Sequence, residues 1–146
     1  MSLFGHIVRK RVALLGALAW IALIFTFSSQ SQPVGSETAS GLLGGRGDLL
    51  VHFSEYFVLA LLLLLTVLTA VRNEARTIHY LLVVSAAVFI GGMEEVYQGF
   101  VPDRTSSFLD VGADALGAVT SVFLVALISR YRRKRLLKVP DVKSRL

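Results

Sequence analysis

Four long apolar stretches constrain this chain more than any other feature of its sequence. Each contains about 20 mostly apolar residues, which is the length that an α-helix rising 1.5 Å per residue needs to cross a bilayer. None contains proline, and because lipid cannot hydrogen-bond a bare backbone, each stretch is predicted to be helical. The predicted spans are residues 11–27, 49–71, 78–100 and 107–129. The sequence therefore predicts an all-α, polytopic membrane protein with four transmembrane helices.

The composition supports a membrane protein and excludes several other classes. Of the 146 residues, 54% are hydrophobic and the mean hydropathy is +0.67, which is too apolar for a soluble domain of this size. The chain has no cysteine, which excludes disulfides, thiolate metal sites and a cysteine nucleophile. The first stretch resembles a signal peptide, but the residues after it lack the A-x-A cleavage pattern. We therefore predict that it remains as the first transmembrane helix.

The basic residues predict how the helices are oriented. Thirteen of the fifteen Lys and Arg residues lie before the apolar part of the first stretch, between the second and third, or after the fourth. Because Lys and Arg accumulate in cytoplasmic loops, both termini are predicted to be cytoplasmic. The membrane domain at 11–129 would then lie between a cytoplasmic N-terminus at 1–10 and a basic cytoplasmic tail at 130–146. Basic residues confined to the ends of apolar runs also argue against nucleic-acid binding, despite a net charge of +5.

Polar side chains interrupt the second, third and fourth stretches at a common depth, within about 10 Å of their predicted outer ends. They are Asp48 just before the second stretch, His52, Glu55 and Tyr56 within it, Glu94, Glu95 and Gln98 in the third, and Asp110 and Asp114 in the fourth. Spacings of three and four residues place each set on one helical face. Small residues beside these sets predict that the faces approach closely, namely Gly91, Gly92, Gly112, Ala113 and Gly117.

The energy of charged groups in lipid indicates that these faces meet one another. A charge at the middle of a spanning helix costs about 2.5–3.5 kcal/mol. Five ionised carboxylates facing lipid would together cost on the order of 10 kcal/mol. They are Glu55, Glu94, Glu95, Asp110 and Asp114. Water, shared protons, the cations Arg104 and His52, a metal ion or a polar ligand must offset that cost. We therefore predict an outward-facing polar site between the second, third and fourth helices.

Two spaced motifs carry a resemblance to a known family. The pattern D-x-x-x-H-F-x-E-Y is formed by Asp48, His52, Phe53, Glu55 and Tyr56. The pattern E-x-x-Q-x-F-V-P-x-R-x-x-S-x-x-D is formed by Glu95, Gln98, Phe100, Val101, Pro102, Arg104, Ser107 and Asp110, and it continues to Asp114 and Gly117. With FSSQS at residues 27–31, these motifs make the chain resemble the VanZ-like family over about residues 27–117. Members often have Asn where this chain has Asp114 and Lys where it has Leu49.

The resemblance implies a four-helix, multi-pass protein of the bacterial cell membrane. It also implies an association with low-level resistance to teicoplanin, a glycopeptide that acts on cell-wall precursors. It implies no particular reaction, so the chemistry of the site has to come from its own residues.

Three interpretations of the polar site are left open by the sequence. The site is a hydrogen-bonded core that fixes helix packing, a divalent-cation site, or a site for an anionic or sugar-bearing envelope molecule. Hard ions such as Mg²⁺, Ca²⁺ or Mn²⁺ suit its oxygens, with His52, Glu55, Glu95 and Asp110 as the expected ligands. Arg104 is expected either to make a bidentate contact with a phosphate or carboxylate of a ligand, or to form a salt bridge with Asp103 or Asp110.

Three functions are considered for a membrane protein with this polar site. The leading hypothesis is a protein that binds an envelope lipid or lipid-linked precursor and so modulates teicoplanin sensitivity. The second is a membrane enzyme acting on a polyprenyl-phosphate or sugar-lipid through carboxylate acid/base or divalent-metal chemistry. The third is a small carrier or flippase acting as an oligomer. It ranks last because the predicted inner halves of the helices contain few polar residues.

Overall fold

The computed structural model describes residues 3–30, 47–71, 76–104 and 106–137. Within these ranges every regular element is an α-helix. The four helices are α1 (Leu3–Ser28), α2 (Gly47–Ala70), α3 (Thr77–Gln98) and α4 (Phe108–Leu137). The all-α class and the number of helices predicted from the sequence are therefore confirmed.

All four helices are long and apolar enough to cross a membrane. The segments that meet this requirement are Val8–Ser28, Gly47–Ala70, Thr77–Gln98 and Phe108–Tyr131. Large apolar side chains lie on their outer surfaces, including Phe89, Phe108 and Phe123, which are 68%, 97% and 62% exposed. Such surfaces suit contact with acyl chains. The fold is that of a multi-pass membrane protein.

The helix bounds differ from the predicted spans mainly at the two basic ends. Helix α1 begins at Leu3 rather than at residue 11, and α4 continues to Leu137 rather than ending at residue 129. Lys, Arg and Leu are good helix formers, so a helix can continue beyond the segment that lipid surrounds. An apolar pattern locates the span, whereas backbone propensity decides how far the helix extends beyond it.

Helix α2 occupies the centre of the bundle. It packs against all three other helices, and its most extensive contact is with α4. Gly117 of α4 permits that contact, because a Cβ atom there would overlap the carbonyl oxygen of Phe53 and lie 3.0 Å from the backbone nitrogen of Phe57. The apolar core lies around α2 and contains Ile24, Tyr56, Leu59, Leu64, Ala87 and Ala118.

A tight turn at Pro102–Asp103 joins α3 to α4. The backbone nitrogen of Arg104 donates to the carbonyl of Val101 at 3.3 Å. Asp103 has a φ of 62°, in the left-handed region that Asp tolerates better than most residues. The turn places the end of α3 beside the start of α4, where the polar residues of both helices lie.

Candidate functional site

The polar faces of α2, α3 and α4 meet inside the bundle, as predicted. We call the set of predicted site residues the polar cluster, and it comprises Asp48, His52, Glu55, Tyr56, Glu94, Glu95, Gln98, Arg104, Ser107, Asp110 and Asp114. Six of these are buried, namely His52, Tyr56, Glu94, Glu95, Gln98 and Asp114. Of the others, Asp48 is exposed and the rest are partly exposed. The cluster lies near one end of the helices, with α1 completing it at Ser28.

Glu94 is the centre of a hydrogen-bond network that joins three helices. Its Oε2 accepts from the hydroxyl of Tyr56 in α2 at 2.7 Å, and its Oε1 accepts from Gln98 Nε2 at 3.0 Å. Ser28 of α1 donates its hydroxyl to the same Oε1. These donors satisfy both oxygens of a carboxyl that is only 1% exposed. Glu94 therefore holds α1, α2 and α3 together at this end of the bundle.

His52 lies between two carboxyl groups from different helices. Its Nδ1 is 3.0 Å from Asp114 Oδ1 in α4, which is hydrogen-bond distance. Its Nε2 is 3.8 Å from Glu95 Oε1 in α3, which is too long for a hydrogen bond. Asp114 fits beside α3 because position 91 is glycine, where a Cβ atom would overlap its carboxyl oxygen. The glycine thus makes room for the residue that orients the imidazole.

Glu95 ties the end of α3 to the start of α4 through one of its two oxygens. Its Oε2 accepts from the backbone nitrogen of Ser107 at 2.7 Å. Its Oε1 is buried and has no hydrogen-bond partner among the described residues. The hydroxyl of Ser107 accepts from the backbone nitrogen of Leu109 at 3.1 Å, so Ser107 caps α4 and contributes its backbone rather than its side chain to the cluster.

A small, partly open cavity of about 20 Å³ lies beside Arg104. Its polar lining consists of Ser28, Asp48, His52, Glu55, Glu94 and Arg104. The Nε of Arg104 is buried and has no hydrogen-bond partner in the described part of the chain. Arg104 forms no ion pair with Asp103 or Asp110, so that alternative from the sequence is wrong. The guanidinium is thus left with donor capacity at a cavity that has room for about one water-sized group.

Two sets of three side chains have the spacing of metal ligands within the described residues. In each set the ligand atoms all lie within 4.8 Å of one another. One set is His52, Glu95 and Asp110, and the other is His52, Glu94 and Asp114. Glu55, expected from the sequence as a fourth ligand, belongs to neither set and lines the cavity beside Arg104 instead.

Helix α1 contributes contacts that the sequence did not place at the site. Besides Ser28, it provides Trp20, whose indole Nε1 donates to the backbone carbonyl of Glu55 at 3.0 Å. The FSSQS motif was the available signal for Ser28, because a serine that ends an apolar helix is a polar group in need of a partner. The motif has no helical periodicity that would predict Glu94 as the partner of Ser28. Two of the predicted close approaches also fail, since Gly92 and Gly112 have open space where a Cβ would lie.

Fold and site together define a multi-pass α-helical membrane protein with a buried polar cluster near one end of its helices. Comparison with models of known protein families, with curated proteins and with solved structures found no match for this chain. Its function is therefore inferred from the chemistry of the cluster, and the VanZ-like resemblance stays a prediction.

Proposed function

We propose that this chain is a VanZ-like protein of the bacterial cell membrane that binds the polar headgroup of an envelope lipid or lipid-linked precursor. By doing so it would modulate sensitivity to teicoplanin. The observation that supports this most directly is Arg104, which lines a small cavity and whose buried Nε lacks an acceptor among the described residues. A buried donor without a partner costs free energy, and a ligand oxygen would remove that cost.

The charges around the cavity favour a headgroup that contains hydroxyl groups. Asp48, Glu55 and Glu94 line the same cavity, so an isolated anion would be repelled there. A headgroup bearing hydroxyls would donate to the carboxylates, while one phosphate or sugar oxygen would accept from Arg104. The cavity is large enough for only about one such atom. The remainder of the headgroup would lie outside the cavity.

Antibiotic susceptibility tests this proposal. A glycopeptide-sensitive Gram-positive host would carry the wild type or the Arg104→Gln variant at equal membrane abundance. Arg76→Gln is the matched control, because it removes a guanidinium that lies before α3, at the other end of that helix from the cluster. We expect the wild type and the control to raise the teicoplanin concentration needed to stop growth, and Arg104→Gln to lose that effect.

Two results would contradict the proposal. Equal protection by Arg104→Gln would show that the guanidinium is not needed, and an absence of protection by the wild type would remove the link to teicoplanin. Native mass spectrometry of the purified protein separates the two parts of the proposal. A co-purifying lipid that is lost only in Arg104→Gln would support headgroup binding even if the antibiotic effect is absent.

A second candidate function is a membrane enzyme acting on a polyprenyl-phosphate or sugar-lipid. The observation that favours it is the arrangement around His52, with Asp114 at 3.0 Å on one side and Glu95 at 3.8 Å on the other. Paired ionisable groups in different environments are suited to acid/base work. Turnover of a polyprenyl-phosphate that stops in the Glu95→Gln variant would support this function. Binding without turnover would support the first.

A further inference from the structure

The set formed by His52, Glu95 and Asp110 carries an inference of its own. These side chains come from α2, α3 and α4, and their ligand atoms lie within 4.8 Å of one another. We infer that they form a binding site for one divalent cation, with an ion that accepts both nitrogen and oxygen ligands, such as Mn²⁺ or Zn²⁺, as its occupant. This inference does not rest on the proposed function, since metal binding can be measured on the protein alone.

The spacing between His52 and Glu95 fits a shared ion better than a direct contact. The distance of 3.8 Å between Nε2 and Oε1 exceeds that of a hydrogen bond. Bonds of about 2.1 Å from a nitrogen and an oxygen to one ion span such a distance at an angle of about 130°. The distance therefore allows both ligand atoms to bind one ion.

Glu95 supplies a second and independent observation. The residue is only 3% exposed, and its Oε1 has no hydrogen-bond partner among the described residues. A buried carboxylate oxygen without a partner is costly, and metal coordination is one of the few ways to satisfy it. Its Oε2 accepts from the backbone of Ser107 at 2.7 Å, which fixes the carboxyl group with Oε1 toward His52.

Asp114 prepares the imidazole for coordination. When Nδ1 of His52 carries the ring proton and donates to Asp114 Oδ1 at 3.0 Å, Nε2 presents its lone pair on the side where Glu95 lies. Histidines that bind metals usually donate their other ring N–H to a carboxylate in this way. Asp114 is therefore a positioning residue, which acts through His52 rather than on the ion.

The other set of three is less suited to an ion because both oxygens of Glu94 already accept hydrogen bonds, although Asp114 Oδ2 is buried without a hydrogen-bond partner among the described residues. Glu94 accepts from Tyr56, Gln98 and Ser28, and Asp114 accepts from His52. Asp110, by contrast, is partly exposed at the start of α4, which gives an ion a path from solution. One imidazole and two carboxylates suit Mn²⁺ or Zn²⁺, which also bind imidazole nitrogen. They suit Ca²⁺ less well, because Ca²⁺ prefers oxygen ligands.

Manganese binding to the purified full-length protein in detergent tests the inference. The protein would be freed of metal with a chelator and titrated with Mn²⁺ alone, and electron paramagnetic resonance would count the bound ions. We expect one Mn²⁺ per chain. We also expect the spin-echo modulation of a single imidazole nitrogen, since the set contains one histidine.

Four variants locate the ion. Glu95→Gln and Asp110→Asn should each weaken Mn²⁺ binding by about tenfold or more, and Asp114→Asn by about 10–100-fold through the orientation of His52. Asp103→Asn is the matched control. It removes an exposed carboxylate from the turn between α3 and α4, and Asn tolerates the positive φ at position 103 as Asp does. Thermal unfolding midpoints would show that each variant is folded.

Four results would overturn the inference. The first three are no Mn²⁺ bound to the wild type near stoichiometric concentrations, Mn²⁺ bound without nitrogen modulation, and affinity unchanged in both Glu95→Gln and Asp110→Asn. The fourth is loss of binding in Glu94→Gln but not in Glu95→Gln, which would assign the ion to the other set. Headgroup binding through Arg104 could still stand in each of these cases, because it is read from a bound lipid rather than from a bound metal.

Discussion

Two adjacent glutamates in α3 show how one residue step changes the role of a side chain. Glu94 and Glu95 are both nearly fully buried, at 1% and 3% exposure. Neighbouring positions on a helix point about 100° apart, so each faces a different helix. Glu94 meets donors from α1 and α2, whereas Glu95 meets the start of α4 and His52. One carboxyl group has both oxygens hydrogen-bonded, and the other retains an oxygen that has no hydrogen-bond partner among the described residues.

The first prediction concerns the hydroxyl of Tyr56. Tyr56→Phe removes the 2.7 Å hydrogen bond to Glu94 and leaves a buried carboxyl oxygen without a donor. We expect the free energy of unfolding to fall by about 1–3 kcal/mol. Thermal or denaturant unfolding of the purified protein in detergent measures the change.

Tyr97→Phe is the control for that prediction. The Tyr97 side chain is 39% exposed and its ring packs 5.7 Å from that of Phe25, a contact that phenylalanine would keep. Equal stability of the two variants would show that the hydrogen bond to Glu94 contributes nothing measurable.

At the scale of the helix, two glycines of α4 differ in what surrounds them. Gly117 faces the backbone of α2, where a Cβ atom would overlap the Phe53 carbonyl oxygen. Gly112 is exposed and has open space within 4 Å of a Cβ position. Close backbone approach is a frequent use of small residues in transmembrane helices. The contrast shows that only one of these two glycines is required by packing.

The second prediction follows from that contrast. Gly117→Ala should push α4 away from α2 and lower the free energy of unfolding by about 1–3 kcal/mol, the usual effect of overpacking. Gly112→Ala adds the same methyl group to the same helix in open space, so stability should be unchanged or slightly raised by the better helix propensity of Ala. Unfolding midpoints of both variants in one detergent compare the two directly. A stable Gly117→Ala protein would mean that the two helices can separate without cost.

For the whole molecule, the predicted crossing of the membrane by all four helices would place the start of α1 and the end of α4 on the same side. The exposed residues Arg9, Lys10 and Arg11 of α1 and Arg130 of α4 then lie on that side, away from the polar cluster. The excess of basic residues predicts that this side is the cytoplasm. The polar cluster and the Arg104 cavity would accordingly open toward the cell exterior.

The third prediction tests this orientation with cysteine labelling. The chain has no cysteine, so single substitutions can be introduced without any background. Ser106→Cys lies in the exposed connection before α4, and Thr77→Cys lies at the exposed start of α3, near the other side of the membrane. A membrane-impermeant maleimide added to intact cells should label position 106 only, and permeabilised cells should label both. Labelling of position 77 alone in intact cells would show that the orientation is opposite to the predicted one.

Much of the site could be predicted from sequence because helical periodicity is a local property. His52, Glu95 and Asp114 each fall on the polar face of an apolar helix, and desolvation requires such faces to meet. The sequence could not predict the partners of each group. Ser28 donates to Glu94, which lies 66 positions further along the chain. Glu55 belongs to neither set of side chains that have the spacing of metal ligands. Both outcomes depend on how the helices are rotated about their axes.

The sequence by itself determined the membrane class, the number of helices and the burial of polar residues near one end. Each of these follows from the length, hydropathy and periodicity of single segments. The tertiary structure alone decided that Glu94 is saturated and Glu95 is not, that Arg104 is left without an ion pair to Asp103 or Asp110, and that α1 completes the cluster. These outcomes are set by atomic distances between helices, which depend on close packing at a few positions such as Gly91 and Gly117. No pattern within one helix encodes those distances.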